Sequence, residues 1–536
     1  MDRQPSFNLA DLFDLVAEAV PDREAIVVGS RRMTYRQLAE RVTWLASWML
    51  ERGIGRGNMV GLQLYNGVEY LEAFLASCKI KAIPVNINYR YIAEELRYLY
   101  GNSGLHVLFY SAALAPRVRE ALDAAPTLKL IVRVGGAGPT VPGDFEYEGA
   151  MTSASGDAAN AVVRSDDDLS VLYTGGTTGQ PKGVVWPHKS LFYSALGGGC
   201  AYTPAEGPVH APAELADRAR TGHAIRSTPV APLMHGAALW ATLMSLYAGH
   251  TVVISDRHQF DAEHILDLLA REKVSFCNIV GDAMAVPLLD ALLASPGRWN
   301  LSTLMAVGNG GALFSGHVQE GLKKALPHIF IANGAGSSEA GMFSGGTMPA
   351  QGAMFRLAPD SGLEVLVDSD RKAAVGEVGI LARAGMVPVG YLGDPEKTAR
   401  TFVSFGGQRY ALTGDIAKRE SDGSILVFGR DSNCINTGGE KVFVEEVEEA
   451  LRRHPSVFDS LVVGLPDPRW GSKVVGVVAR RPEATVDQEA LRVHCRQHLS
   501  GYKVPKDVVF VDAIQRSPAG KGDYRWARGV AEQALA

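Results

Sequence analysis

The sequence predicts an α/β protein: a large N-terminal domain of wound α/β sheets with a β-rich subdomain, then a small α+β C-terminal domain. Three observations carry this reading. Short apolar runs of strand length alternate with helically spaced apolar residues over residues 1–165, and again over 228–331. Residues 355–428 are β-rich, as in Gly362–Val367 and Val378–Leu381. Beyond Gly429–Asn433, residues 434–536 hold their own helix and hairpin patterns, enough for a second folding unit. A chain of 536 residues is also too long for one ordinary core.

In chain order, Ala25–Val28 reads as a strand and Thr34–Arg52 as a helix, with Leu38, Val42, Leu45 and Leu50 near helical spacing. Met59–Leu64 leads into a helix at Val68–Lys79, and Lys81–Val85 into another at Ile92–Tyr100. Val134–Gly149 and Ser153–Ala161 read as loops, Lys189–Leu196 as a helix, and Gly197–Arg226 as a long segment without a period, either disordered or an active-site cover. Strands at Thr228–Val230, Thr251–Ile254, Phe276–Val280, Leu304–Val307 and Ile329–Ile331 make a second wound sheet. In the C-terminal part, helices fall at Val444–Arg453 and Val486–Leu499, around a hairpin of Leu461–Gly464 and Lys473–Arg480. The domain division is therefore 1–428, a linker at 429–433, and 434–536.

Composition narrows the function classes. A net charge of -5 without a long basic run argues against nucleic acid as a partner. Five scattered cysteines (Cys78, Cys200, Cys277, Cys434, Cys495) show no metal-ligand spacing, which fits a reducing compartment and no structural zinc. The N-terminus lacks the apolar core of a signal peptide. The one long uncharged stretch, Ala237–Ile254, is broken by Gly249-His250, so no integral membrane segment is expected and the location is read as cytoplasmic.

The stretch with most chemistry is Leu172–Gly183, a buried-strand pattern running into Thr174-Gly175-Gly176-Thr177-Thr178-Gly179-Gln180-Pro181-Lys182. Gly175, Gly176 and Gly179 let backbone N–H groups approach an anion. Thr174, Thr177 and Thr178 add hydroxyl donors, and Lys182 a point charge for phosphate oxygens. A Walker A loop needs Gly-Lys-Ser/Thr opening a helix; here Lys182 lies between Pro181 and Gly183.

This string resembles the phosphate loop of the adenylate-forming superfamily, which includes acyl-CoA synthetases, peptide-synthetase adenylation domains and luciferases. Further segments resemble that family in its order. Pro232-Leu233-Met234-His235 is similar to the segment lining its carboxylate pocket, where the histidine orients the acid. In Asn333-Gly334-Ala335-Gly336-Ser337-Ser338-Glu339, the resemblance makes Glu339 the magnesium ligand, places Ser338 at a phosphate, and puts Ala335 where an aromatic residue usually meets adenine. Gly310-Gly311-Ala312 matches the adenine and acyl-pocket turn, with Asn333 and Gly334 beside it. Asp415, in Thr413-Gly414-Asp415, matches the ribose-binding aspartate, a role that suits an acceptor-only group.

Gly429-Arg430-Asp431-Ser432-Asn433 resembles the interdomain linker, with Arg430 toward the sugar and Asn433 as the hinge that makes the small domain mobile. Gly438, Gly439, Glu440 and Lys441 match the loop lining the pantetheine tunnel. Lys521, in Ser517-Pro518-Ala519-Gly520-Lys521-Gly522-Asp523-Tyr524, matches the adenylation lysine. Preorganised positive charge there is worth about 2–4 kcal/mol toward a developing oxyanion.

The resemblance implies an ATP-dependent acyl-CoA synthetase using Mg2+ and coenzyme A, with Lys521, His235 and Glu339 at the centre of the chemistry. Details such as Val280-Gly281-Asp282-Ala283 and Asp523-Tyr524-Arg525-Trp526 are similar to actinobacterial ligases for steroid side-chain acids. The expected acyl pocket comprises His235, Trp240, Val280, Gly281, Met284, Gly310 and Gly336; Trp240, Met284 and Val286 read equally as walls or core. A steroid or diterpenoid acid is expected, with a branched, aromatic or longer-chain acid as the alternative. A carrier-protein acceptor, a homodimer and a non-catalytic nucleotide-binding role are the other readings.

Overall fold

The computed structural model describes residues 5–535 apart from 137, 154–155, 157, 177–178, 312–313, 344–354, 360, 431–433, 438–439, 469 and 517–520. Its strands begin with β1 (Glu24–Val28), β2 (Arg31–Thr34), β3 (Met59–Gln63), β4 (Ile83–Asn86), β5 (Leu105–Ser111), β6 (Leu130–Val134) and β7 (Phe145–Glu146). A hairpin follows, β8 (Leu169–Gly176) and β9 (Gly179–Pro187). Then come β10 (Arg226–Pro229), β11 (Thr251–Ile254), β12 (Phe276–Ile279), β13 (Ala306–Asn309) and β14 (Phe330–Asn333).

Two wound sheets result. The first runs β9-β8-β4-β3-β5-β6-β7, with Gly390–Tyr391 added beyond β9. The second runs β14-β13-β12-β10-β11-β1-β2. The expectation that residues 1–165 form one wound unit is corrected here, because β1 leaves its neighbours and pairs in parallel with β11, Ile26 opposite Val252. The physical reason is burial: Val27 and Val253 lie together in the core beneath the second sheet.

The segment at 197–226 is also more ordered than its composition suggests. Ala213–Thr221 is a helix with Leu215, Ala216 and Ala219 buried. Arg218 holds the preceding chain by donating to the carbonyls of Gly199 (3.2 Å) and Gly207 (2.8 Å). The region read as a loop at 134–149 contains β7 and the start of a helix at Tyr147–Thr152.

Four helices matter for the site. They are α1 (Gly236–Tyr247), α2 (Gly281–Ala294), α3 (Gly316–Ala325) and α4 (Val444–Arg452). A mainly antiparallel sheet spans Phe355–Leu357 to Ile425–Arg430. The smaller C-terminal domain folds around the strands Val457–Asp467, Gly471–Arg480 and Asp507–Val511, with α4, Gln488–Arg496 and Tyr524–Leu535 packed on them. That last helix was not expected from the sequence. Among the described residues, no helix is long and apolar enough to cross a membrane.

Candidate functional site

The β8–β9 hairpin brings Thr174 opposite Lys182 and Gly176 opposite Gly179. The backbone of Gly175, Gly176 and Gly179 thus sits at the hairpin tip; Thr177 and Thr178 lie outside the described residues. A Cβ on Gly183 would fall 2.9 Å from both Tyr173 and Val171, so glycine is required where the strand leaves the tip.

Two asparagines hold the histidine segment, Asn86 tying it to the hairpin and Asn66 to the chain just past β3. Asn86, 7% exposed at the end of β4, accepts from the Tyr173 amide (2.5 Å) and donates to the carbonyls of Tyr173 (2.9 Å) and Met234 (2.6 Å). Asn66 accepts from the Leu233 amide (2.7 Å) and donates to the Ala231 carbonyl (3.0 Å). Neither was singled out from the sequence. The signal for Asn86 was a lone amide closing the apolar run Ile83-Pro84-Val85.

His235 follows as the N-cap residue of α1. Its ring is half-buried, and Nε2 is enclosed without a partner among the described residues. Burial, then the charges of Arg90 and Lys521, push its pKa down to about 4. The imidazole is therefore neutral at physiological pH, able to donate one hydrogen bond and accept another. The effect of Lys521 also locates that lysine: its ammonium, exposed on the C-terminal domain, lies near enough to act on His235. Its stretch is pinned by an Arg516–Gly522 bridge, and Arg516 grips Asp459 through two bonds of 2.7 and 2.6 Å.

Glu339 lies in the turn between Ala335–Ser337 and Gly341–Phe343. Tyr391 donates its hydroxyl to Glu339 Oε1 (2.9 Å), and the Lys182 ammonium sits 5.4 Å from the Tyr391 ring. Trp186 on β9 donates Nε1–H to the Ser338 carbonyl (2.9 Å), so the acidic turn is tied to the hairpin. Lys182, Glu339 and Ser338 are thereby gathered at one place. Tyr391 was missed by the sequence reading. A half-exposed carboxylate fixed through one oxygen is a hard ligand that fits magnesium shared with phosphate oxygens.

Asn333 donates to Gln319 Oε1 (3.1 Å), and the Gly334 amide to the Asn309 carbonyl (2.8 Å). Asn309, also missed, accepts from the Gly281 amide (2.7 Å), where Gly281 starts α2 at φ +51°. Gly310 faces Ala237, and a Cβ on Gly311 would meet nothing within 4 Å. Ala335 stands opposite Phe343, and a Cβ on Gly336 would strike the Gly341 carbonyl at 2.6 Å. Met284 is partly buried between the two main cores, beside Val280. Asp415 pairs in register with Arg430, and its amide bonds to Thr413 Oγ1 (3.0 Å).

Trp240 and Val286, which read equally as walls or core, pack as core. Trp240, 5% exposed, lines a small void with Trp186, Leu172 and Tyr70 on the first-sheet side of α1. Val286, 7% exposed, belongs to the core beneath the second sheet. Both pack as core because each lies on the buried flank of its helix. Glu440 and Lys441 have backbone in the Glu440–Phe443 strand, opposite Thr437 and Asn436. Ala312, Asn433, Gly438 and Gly439 lie outside the described residues, as do the side chains of Arg430, Glu440 and Lys441.

The small domain touches the large one close by. Glu449 on α4 accepts from the Gly316 amide (3.1 Å), and Phe428 stacks on Phe443 at 5.6 Å.

Comparison with known proteins places the whole chain. The chain is 40% identical to the medium-chain acyl-CoA ligase Mig of Mycobacterium avium, covering 100% of this chain and 99% of the relative. It is 39% identical to the 3-oxocholest-4-en-26-oate–CoA ligase of Rhodococcus rhodochrous, covering 98% and 96%. Its fold matches an anthranilate CoA ligase solved with anthranoyl-AMP (TM-score 0.83, 21% identity, 99% and 98% covered). It also matches ATP-bound MatB from Rhodopseudomonas palustris (TM-score 0.81, 25% identity, 99% and 100% covered). The AMP-binding enzyme model matches residues 13–389 and the AMP-binding enzyme C-terminal domain model residues 446–521, so the chain belongs to the AMP-binding enzyme family.

Proposed function

We propose that this chain is an AMP-forming acyl-CoA ligase that activates a bulky hydrophobic carboxylic acid of the steroid side-chain type. The reading is carried by one observation: the charge of Lys521, from the small domain, reaches His235 on the large domain, beside the hairpin that carries Lys182. Relatives of about 40% identity over the full length, named for medium-chain and cholestenoic acids, support the class of acid.

The reaction divides into two half-reactions. Neutral His235 orients the acid, whose carboxylate oxygen attacks the α-phosphorus of ATP. A phosphoanhydride bond breaks, pyrophosphate leaves and acyl-AMP forms. Lys521 and Lys182 hold positive charge where negative charge builds, and the hairpin backbone positions the phosphates. Glu339, steadied by Tyr391, would hold Mg2+, which when bound neutralises phosphate charge. Asp415 takes the ribose, with Arg430 beside it in register.

The small domain then turns about the 429–433 linker, withdrawing Lys521 and bringing Gly438–Lys441 to the acyl-adenylate. The thiol of coenzyme A attacks the acyl carbon, AMP leaves and the thioester forms. No enzyme nucleophile is required; buried Cys78 and Cys277 have thiols pushed up by burial, which disfavours thiolates.

The test is a panel of carboxylic acids incubated with ATP, Mg2+ and CoA, read as acyl-CoA by mass. Acid-dependent AMP and thioester, highest with polycyclic side-chain acids, is the expected result. Adenylate without CoA transfer, rescued by a phosphopantetheinylated carrier, would replace CoA as acceptor. Absence of acid-dependent pyrophosphate exchange would overturn the assignment.

A further inference from the structure

The two lobes meet at a joint rich in charge. From the large lobe, Asp282 in the first turn of α2 accepts from the Ser315 amide (2.9 Å), and Ser315 is the N-cap residue of α3. The two residues after it face the small lobe. The Gly316 amide donates to Glu449 (3.1 Å). His317 is half-buried at the same place: burial lowers its pKa, Asp282 and Glu449 pull it back up, and Arg452 and Arg481 of the small lobe oppose them. Acids and bases of both lobes thus act on one ring.

Arg452, the last residue of α4, is a buried cation with little free acid in its own lobe. Its side chain is 3% exposed. Nη1 donates to the Ser460 carbonyl (2.9 Å), while Nε and Nη2 have no hydrogen-bond partner among the described residues. Two carboxylates of the small lobe stand near it, Glu448 at 3.6 Å and Asp459 at 3.7 Å. Both are already engaged. Asp459 takes two bonds from Arg516 (2.7 and 2.6 Å), and Glu448 accepts from the Val462 amide (3.0 Å). Burial opposes the charge on Arg452; Glu448 sustains it most, and Asp282 from across the joint comes next, ahead of Asp459.

The joint is also short of partners. Ser315 Oγ, His317 Nδ1 and Glu449 Oε2 are buried without one among the described residues, as are the two nitrogens of Arg452. Buried polar atoms are normally satisfied, so a group of them between two lobes is a place for ordered water. Water bridging a donor and an acceptor beyond 3.5 Å is nearly as favourable as a direct bond.

Building on the ligase reading above, we infer that Asp282 and Arg452 form a water-bridged charge pair that biases the lobes toward the adenylation posture. Without the Asp282 charge, docking buries Arg452 among acids that are already spent, and the parted posture, where water solvates the guanidinium, gains ground. The pair touches neither ATP nor the acid. It sets how often Lys521 is at the centre.

Asp282→Asn tests this, since it keeps an acceptor for the Ser315 amide and removes the charge alone. Pyrophosphate exchange reads adenylation, and thioester formation from a preformed acyl-adenylate reads transfer. The variant is expected to adenylate severalfold more slowly at saturating ATP and acid, with transfer unchanged or faster and Tm unchanged. Arg452→Gln should give the same split, and the double variant should lose little more than either single one. Should Arg452→Gln not fold, the split in Asp282→Asn decides alone. Unaltered adenylation in Asp282→Asn, equal losses in both half-reactions, or additive losses in the double variant would overturn the inference and leave the ligase reading standing. An unmodified enzyme that gives no acid-dependent pyrophosphate exchange on a wide panel of acids would instead overturn both.

Discussion

Tyr391 and Glu339 meet through a hydrogen bond of 2.9 Å, with the Lys182 ammonium 5.4 Å from the same phenol ring. One aromatic side chain thus spaces the acidic and basic groups that would face a triphosphate. A hydrogen bond to a charged group is worth about 1.5–3 kcal/mol, so its loss corresponds to about tenfold or more in affinity. Tyr391→Phe is expected to raise KM for Mg-ATP about tenfold and to shift the Mg2+ dependence to higher concentration, with KM for the acid little changed. Steady-state kinetics with magnesium titration checks it; an unaltered Mg2+ curve would remove Tyr391 from this role.

The charge of Lys521 reaches His235 from the other domain, so in the proposed reaction its removal should separate the half-reactions. Lys521→Ala is expected to reduce acyl-adenylate formation at least a hundredfold, in line with the loss of one donor to a developing oxyanion. Transfer of a preformed acyl-adenylate to CoA should stay within a few fold. Parallel assays of pyrophosphate exchange and thioester formation decide it, and equal losses in both would count against the assignment.

Asn86 joins the hairpin strand to the histidine segment through three backbone bonds. Asn86→Ala strands three buried backbone groups, each costing about 1–3 kcal/mol when unsatisfied. The variant should show a clearly lower Tm and a rise in KM for both ATP and acid, because Tyr173 and Met234 lose the same anchor. A shift in one KM alone would contradict the coupling.

Stability toward acid follows from the buried histidines. His188 and His250 are both pushed from 6.5 down to about 4 by burial. Below 6.5 the unfolded chain binds protons that the folded chain refuses, so these groups weaken the fold as pH falls from about 6.5 toward 4. Each contributes at most about 1.4 kcal/mol per pH unit. Denaturant midpoints should decline over that range, and His250→Phe should decline less steeply than the unmodified protein; matching slopes would exclude His250 as a source.

Much of this architecture was legible because its signals are local. The alternation of Ala25–Val28, Met59–Leu64 and Phe276–Val280 with helical spacings identifies strands and helices whatever their partners. The glycine-threonine stretch before Lys182 likewise carries its own chemistry. What stayed hidden depends on distant pairing. Nothing in Ala25–Val28 points to Thr251–Ile254, and nothing in the tyrosine of Gly390-Tyr391-Leu392 points to Glu339. Trp240 and Val286 looked equally like wall and core because helical spacing gives a face but not its neighbour.

The contact between Glu449 and the Gly316 amide has a consequence for turnover. Gly316 opens α3, where backbone donors lack partners within the helix, so the other lobe supplies the missing acceptor. If the lobes part as the proposed cycle requires, water would solvate both groups, and the net loss would be only about 0.5–1.5 kcal/mol. In that cycle a latch this shallow would leave the choice of posture to whichever nucleotide or thioester is aboard, making the cargo itself the timer.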